Sequence, residues 1–176
     1  MEMQREIQVI CGKVNIPKLS DFLKTINSIA SENNVIIQGL NADLIAGERH
    51  LHFAVGKALR AIAAGRNIAN DPGIEIMRYA SGERQIERSF SIGLHKGENN
   101  AVFVLLGKMD NLILALSSLK ELIIENPCSE LLAYSDYKRQ GILSVFGITD
   151  AEIEASGEEH IPELVIERVA LADFVK

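Results

Sequence analysis

The stretch Val35-Ile36-Ile37-Gln38-Gly39-Leu40-Asn41-Ala42-Asp43-Leu44-Ile45-Ala46-Gly47, followed by Glu48-Arg49-His50-Leu51-His52-Phe53-Ala54-Val55-Gly56-Lys57-Ala58-Leu59-Arg60-Ala61-Ile62, decides the fold class. Its first part opens on three β-branched residues and runs through Gly39 to Leu40, Leu44 and Ile45. That is the composition of a strand or a broken pair of extended segments, closed by Gly47. The period then changes. Leu51, Val55, Ala58, Leu59 and Ile62 share one face at about 100° per residue, which predicts a helix over residues 48–65.

The same alternation of short strands and longer helices continues outward. Ile7-Gln8-Val9-Ile10, before Gly12, reads as a short strand, and Pro17 suits the first turn of a helix. Leu19, Phe22, Leu23, Ile26, Ile29 and Ala30 fall three and four apart and form an amphipathic face that ends near Asn33-Asn34. Toward the C-terminus, Asn70-Asp71-Pro72 starts a helix over residues 73–79 that stops at Ser81-Gly82, and a second short helix is predicted over residues 83–89. Leu94 and the apolar run 101–106 bracket a turn-rich segment and predict a hairpin. Helices follow over residues 110–124, ended by Asn126-Pro127, and over residues 134–146, with Thr149-Asp150-Ala151-Glu152 opening another. The last helix begins at Pro162. Its apolar residues, from Leu164 to Val175, cover more than one stripe, so it needs burial on two sides, either within the fold or against a partner. The expected architecture is α+β: one domain over residues 1–176, a small sheet with several packed helices.

Composition bounds the function. Of 176 residues, 47% are hydrophobic and 24% charged, which excludes a disordered or fibrous chain. No apolar run approaches the roughly 20 residues needed to cross a bilayer, and residues 1–6 lack the pattern of a secretory signal, so a cytoplasmic location is expected. Cys11 and Cys128 are far apart in sequence and are expected to be reduced core residues. A net charge of -6 argues against non-specific coating of nucleic acid, so any such contact must be a local basic patch.

The residues offer little catalytic chemistry. The chain has neither usual Gly-rich phosphate loop nor a paired-cysteine zinc spacing. His50 and His52 diverge by about 200° on a helix, cannot chelate one ion, and are expected at the surface. His95 and His160 have no partner at a diagnostic spacing, and the carboxylates are dispersed. No catalytic residue, metal or cofactor is therefore expected. Arg49 and Arg60, with Lys57 beside them, share the outer helix face with Phe53, either as a solvated surface or as a contact. Ala80-Ser81-Gly82-Glu83-Arg84-Gln85-Ile86 suits an anion at a helix junction, since a hydroxyl, free N–H groups and a guanidinium meet there. A purely structural account of these residues is also open: Ser81 caps, Gly82 turns, and Arg84 pairs with Glu75 or Glu87.

Taken in order, Leu40 through Ala46, His50-Leu51, Ala54-Val55, Ile68-Ala69-Asn70, Glu75-Ile76 and Ala80 through Ile86 resemble the KEOPS regulatory subunits related to the PRPK-binding protein, the TPRKB family. The resemblance is firm from Gln38 to Ile86, looser through Phe103 and unspecific beyond Gly107; Ser-Gly-x-Arg-Gln-Ile at residues 81–86 is its most distinctive part. It implies a mixed sheet with packed helices. It also implies a non-catalytic protein that binds the small kinase-like ATPase of KEOPS and the single-stranded 3′ CCA end of tRNA, in support of threonylcarbamoyladenosine formation. Ser81, Gly82, Arg84 and Gln85 keep the family pattern and become the expected tRNA-binding residues. Phe53, Leu164, Leu171 and Val175 are the expected partner surface. Two other readings remain: a free-standing enzyme or binding protein for a phosphorylated metabolite, and a scaffold that binds its kinase but not RNA.

Overall fold

The computed structural model describes residues 5–174. In chain order the elements are β1 (Glu6–Ile16), α1 (Leu19–Glu32), β2 (Ile36–Asn41), α2 (Glu48–Ala63), α3 (Pro72–Ser81), α4 (Ile86–Ser89), β3 (Gly97–Gly107) and α5 (Met109–Lys120). They continue with β4 (Ile124–Asn126), α6 (Cys128–Leu131), α7 (Asp136–Phe146), α8 (Asp150–Ser156) and α9 (Ile161–Ala170), and a 3-10 turn Ala172–Phe174. The α+β class is as expected. The chain divides into a sheet unit, residues 1–42 with 94–131, and a helical unit, residues 43–93 with 132–176.

The sheet unit has the strand order β2-β3-β1-β4 and is antiparallel in every ladder, not mixed. The reason is topological. β1 and β2 run parallel but are separated by β3, and β3 and β4 run parallel but are separated by β1. Two split β-α-β units thus interleave, with α1 and α5 as their crossovers. β1 pairs with β3 from Glu6 opposite Gly107 to Ile16 opposite Gly97, so the apolar run 101–106 is a central strand, buried throughout. One sheet face carries Ile10, Val14, Ala101, Phe103 and Leu105, which join Ile26 and Ile29 of α1 and Leu112, Ala115 and Leu119 of α5 in a single core cluster.

Gly12 lies inside β1 rather than after it. A Cβ there would stand 2.5 Å from the carbonyl oxygen of Ile124, so only glycine lets β4 come this close. β3 is not half of a hairpin: the preceding residues are a 3-10 turn at Phe90–Ile92. The turn-rich segment is instead stitched by Asn99, which accepts from His95 N at 3.0 Å and donates to the carbonyls of His95 and Gly97. α5 ends at Lys120; of the apolar residues expected to prolong it, Leu122 and Ile123 lie in the following turn and Ile124 opens the short edge strand β4. That strand brings residue 128 next to β1, where Cys11 and Cys128 are joined by a disulfide rather than held as free thiols, with Cα atoms 5.2 Å apart.

In the helical unit α2 packs on α3 and α9. Asp71 caps α3 by accepting from Ile74 N at 3.1 Å, with Pro72 in the first turn as expected. Thr149 and Glu152 form a reciprocal capping box at α8. His50 corrects the expectation of a surface residue. It is fully buried, its Nδ1 accepts from Ala46 N at 3.0 Å, and its Nε2–H donates to Ala80 O at 2.8 Å. The Nδ1 contact fixes the neutral tautomer, and burial lowers the pKa to about 4 against the opposing pull of the Ala80 carbonyl. Lys138 is buried too, donating to Ile45 O at 2.9 Å, and burial lowers its pKa to about 8.

Candidate functional site

α3 ends where its sequence requires. Gly82 takes a left-handed conformation, φ 71°, which closes the last turn, and a Cβ there would meet the Cβ of Arg168 at 3.2 Å. The Ser81 side chain is used up by this turn. It is buried, donates to Arg78 O at 2.8 Å and accepts from Glu83 N at 3.3 Å. The chain then extends through Gln85 and starts the single turn of α4. Arg84 and Gln85 are exposed, and Arg84 makes no ion pair among the described residues. Of the four expected tRNA-binding residues, Ser81 and Gly82 therefore build the turn, while Arg84 and Gln85 stand free of it.

Arg84 and Gln85 line an open cavity of about 540 Å³ together with Ile68, Ile86 and Glu87. Ile68 is 42% exposed, though apolar. Bonded to the backbone of Ile68, α3 carries a fully buried ion pair. Glu75 Oε1 accepts from Arg78 Nε at 2.7 Å and lies 2.5 Å from Arg78 Nη2. The other carboxylate oxygen, Oε2, accepts from the backbone N–H groups of Ile68 at 2.9 Å and Ala69 at 2.8 Å. Arg78 Nη1 donates to Glu83 O at 3.2 Å. Glu75 therefore belongs to Arg78 and not to Arg84, which removes one of the two ion pairs weighed for Arg84. Ile68 was not expected at the site. It enters through its backbone N–H bond to Glu75, seven residues away, which no local sequence pattern signals.

The residues expected to face a partner differ in exposure. Phe53 is half-buried on α2. Leu164 points inward on α9 at 8% exposure, because α9 packs on both α2 and α3, so it is a core residue. Leu171 is 47% exposed, Phe174 beside it is 78% exposed, and Val175 lies outside the described residues. The intervening Asp173 is tied down three ways. It accepts from the Tyr79 hydroxyl at 2.6 Å and lies 3.4 Å from Lys57 Nζ and 3.7 Å from Arg78 Nη2. Burial raises its pKa, but the Tyr79 hydroxyl and the two cations outweigh that and hold the carboxyl below its usual range. Lys57, expected on a face that is either solvated or a contact, donates to Ala170 O at 2.9 Å.

Among the described residues no three His, Cys, Asp or Glu side chains are grouped to hold a metal ion, and no helix is long and apolar enough to cross a membrane. Fold and site together define an α+β protein whose helical unit carries an open cavity with Arg84 and Gln85 exposed on its lining. The chain belongs to the family described as kinase binding protein CGI-121, whose sequence model matches residues 15–173. The resemblance to the PRPK-binding protein family is borne out, and kinase binding is the family's described property. No curated protein matches the chain.

Proposed function

We propose that this protein is a non-catalytic subunit of the KEOPS assembly. In this reading it binds the kinase-like ATPase, engages the 3′ CCA end of tRNA, and acts in the cytoplasm to support threonylcarbamoyladenosine formation. Membership of a kinase-binding family supports the first contact. The observation that carries the second is Arg84, an exposed guanidinium without an ion pair among the described residues, on the rim of an open cavity beside the Gln85 amide. On an acidic protein, nucleic-acid affinity must come from a few well-placed cations, and a single-stranded end suits a small site offering a charge, hydrogen bonds and a plane to stack on.

The test is a salt-dependent gel shift with intact tRNA and tRNA trimmed of its CCA end, together with pull-down of the kinase. Intact tRNA should bind more tightly than trimmed tRNA, and binding should weaken as salt rises. Equal binding of the two forms defeats the RNA part of the reading. One observation favours a phosphorylated small metabolite instead: a cavity of about 540 Å³ is within the usual size of small-ligand sites. Saturable binding or turnover of a sugar phosphate by the purified chain, abolished by Arg84→Glu, would establish that alternative.

A further inference from the structure

We propose that Ile68 is a contact residue of this site, and that the buried Glu75–Arg78 pair is its positioning device, holding both walls of the cavity at once. This rests on the RNA reading for the identity of the ligand but not for the coupling of the walls.

One wall is the Ile68 segment. It lies outside any helix or strand, and its position depends on two backbone N–H groups, of Ile68 and Ala69, both held by Glu75 Oε2 at 2.9 and 2.8 Å. The other wall begins at Glu83, whose carbonyl is held by Arg78 Nη1 at 3.2 Å, one residue before Arg84. Glu75 and Arg78 are bonded to each other, so the two walls meet at one fully buried pair. Such a pair costs desolvation and is weak evidence for stability alone, since well-packed apolar residues often serve as well. What apolar residues cannot do is accept from two N–H groups on one side and donate to a carbonyl on the other.

The chemistry of the walls matches a nucleobase. Arg84 offers a planar cation, while Ile68 offers an aliphatic surface, 42% exposed, on the same cavity. A base placed between them gains stacking on one face and apolar contact on the other, neither of which reads its sequence.

The experiment uses the full chain, with intact tRNA and tRNA trimmed of CCA as probes. Ile68→Ala should weaken intact tRNA roughly tenfold and leave trimmed tRNA unchanged, as expected for loss of one base contact. Glu75→Gln and Arg78→Lys each keep one link and drop another. Folded forms of both should lose the discrimination between the two tRNAs by a larger factor than any change in melting temperature accounts for. If either fails to fold, the double variant Glu75→Leu with Arg78→Met removes both charges together; it should fold and also fail to discriminate. Amide spectra read the coupling without RNA: each single variant should shift Ile68 and Ala69 together with Glu83 and Arg84. Wild-type binding by Ile68→Ala overturns the contact role. Variants that shift only the wall they touch overturn the coupling. If the wild type does not distinguish the tRNAs, the RNA reading falls, and the coupling is then judged on the amide shifts alone.

Discussion

The two units solve the problem of stability in different ways. The sheet unit buries an apolar cluster drawn from β1, β3, α1 and α5, and its one buried polar side chain among the described residues is Asn99, which ties a turn. The helical unit buries His50, Glu75, Arg78, Ser81, Ser89 and Lys138. Every buried charge among the described residues is there, so electrostatics is concentrated in the unit that carries the cavity. A buried ion pair is weak evidence for stability, and in some proteins it serves to fix one geometry. On the function proposed, the sheet unit serves as scaffold and the helical unit as the place where recognition is shaped.

The largest expected effect breaks one side of that contrast. Arg78→Met leaves Glu75 buried and unpaired, which should destabilise the protein by ~3–5 kcal/mol, whereas the double change with Glu75→Leu should recover most of the loss. Denaturant titration measures both, and hydrogen exchange should place the damage in residues 43–93 rather than in β1 and β3. A double variant as unstable as the single would mean that the pair is held for packing, not charge.

A pH titration probes the same unit through His50. Its folded pKa of about 4 lies below the ordinary 6.5, so the unfolded chain takes up the proton first. The contribution of His50 is therefore complete above pH 6.5 and declines as pH falls toward 4, by roughly 3 kcal/mol in all. Lys138 nearby adds to the depression by repulsion. His50→Gln should flatten that slope between pH 6.5 and 4; an unchanged slope would assign acid sensitivity to other groups.

In the sheet unit the corresponding staple is the Cys11–Cys128 disulfide, which spans 117 residues of sequence. Reduction, or Cys11→Ala with Cys128→Ala, should cost about 2–4 kcal/mol by freeing the unfolded chain, and urea midpoints with and without reductant measure it. A reducing cytoplasm, as proposed for this protein, would keep the sheet unit at the lower stability. If the midpoint does not move, the scaffold rests on its apolar core alone.

Local signals were read well from sequence and long-range ones were not. Asp71 with Pro72, the Thr149/Glu152 box and the spacing of Leu19 to Ala30 each act within a turn or two of helix, so they could be recognised before any fold was known. The order of the sheet, the burial of His50 and the disulfide depend on residues 30 to 117 positions apart, which no local pattern encodes. His50 misled because periodicity places a residue on a face without saying what covers that face. At the site, the exposed Arg84–Gln85 edge was legible from the junction of two helices. Ile68 was not, since it enters through a carboxylate seven residues away.

Arg84→Glu sharpens the comparison on the functional side. The residue is exposed, so the fold should be unaffected, while intact tRNA binding should fall by ~1–3 kcal/mol and kinase binding should be retained. Leu171→Glu, on the exposed apolar C-terminal turn, should show the reverse pattern, weakening the kinase complex and sparing tRNA. A protein in which both changes affect both partners would have one surface where two are proposed.

The smallest effect has the opposite sign, which makes it the more discriminating test. Glu87 lines the cavity with Arg84, and its carboxylate opposes any phosphate that enters. Because Glu87 is exposed, solvent screens that repulsion, and removing it is worth only about 0.2–1 kcal/mol. Glu87→Gln should therefore tighten intact tRNA by a factor of roughly 1.5 to 5, mostly at low salt, where exposed charges are least screened. The gain should vanish with tRNA trimmed of CCA, since a remote phosphate would not feel the change. An equal gain with both tRNAs would mean that Glu87 acts through the net charge of the protein, and the cavity would lose its claim to the RNA end.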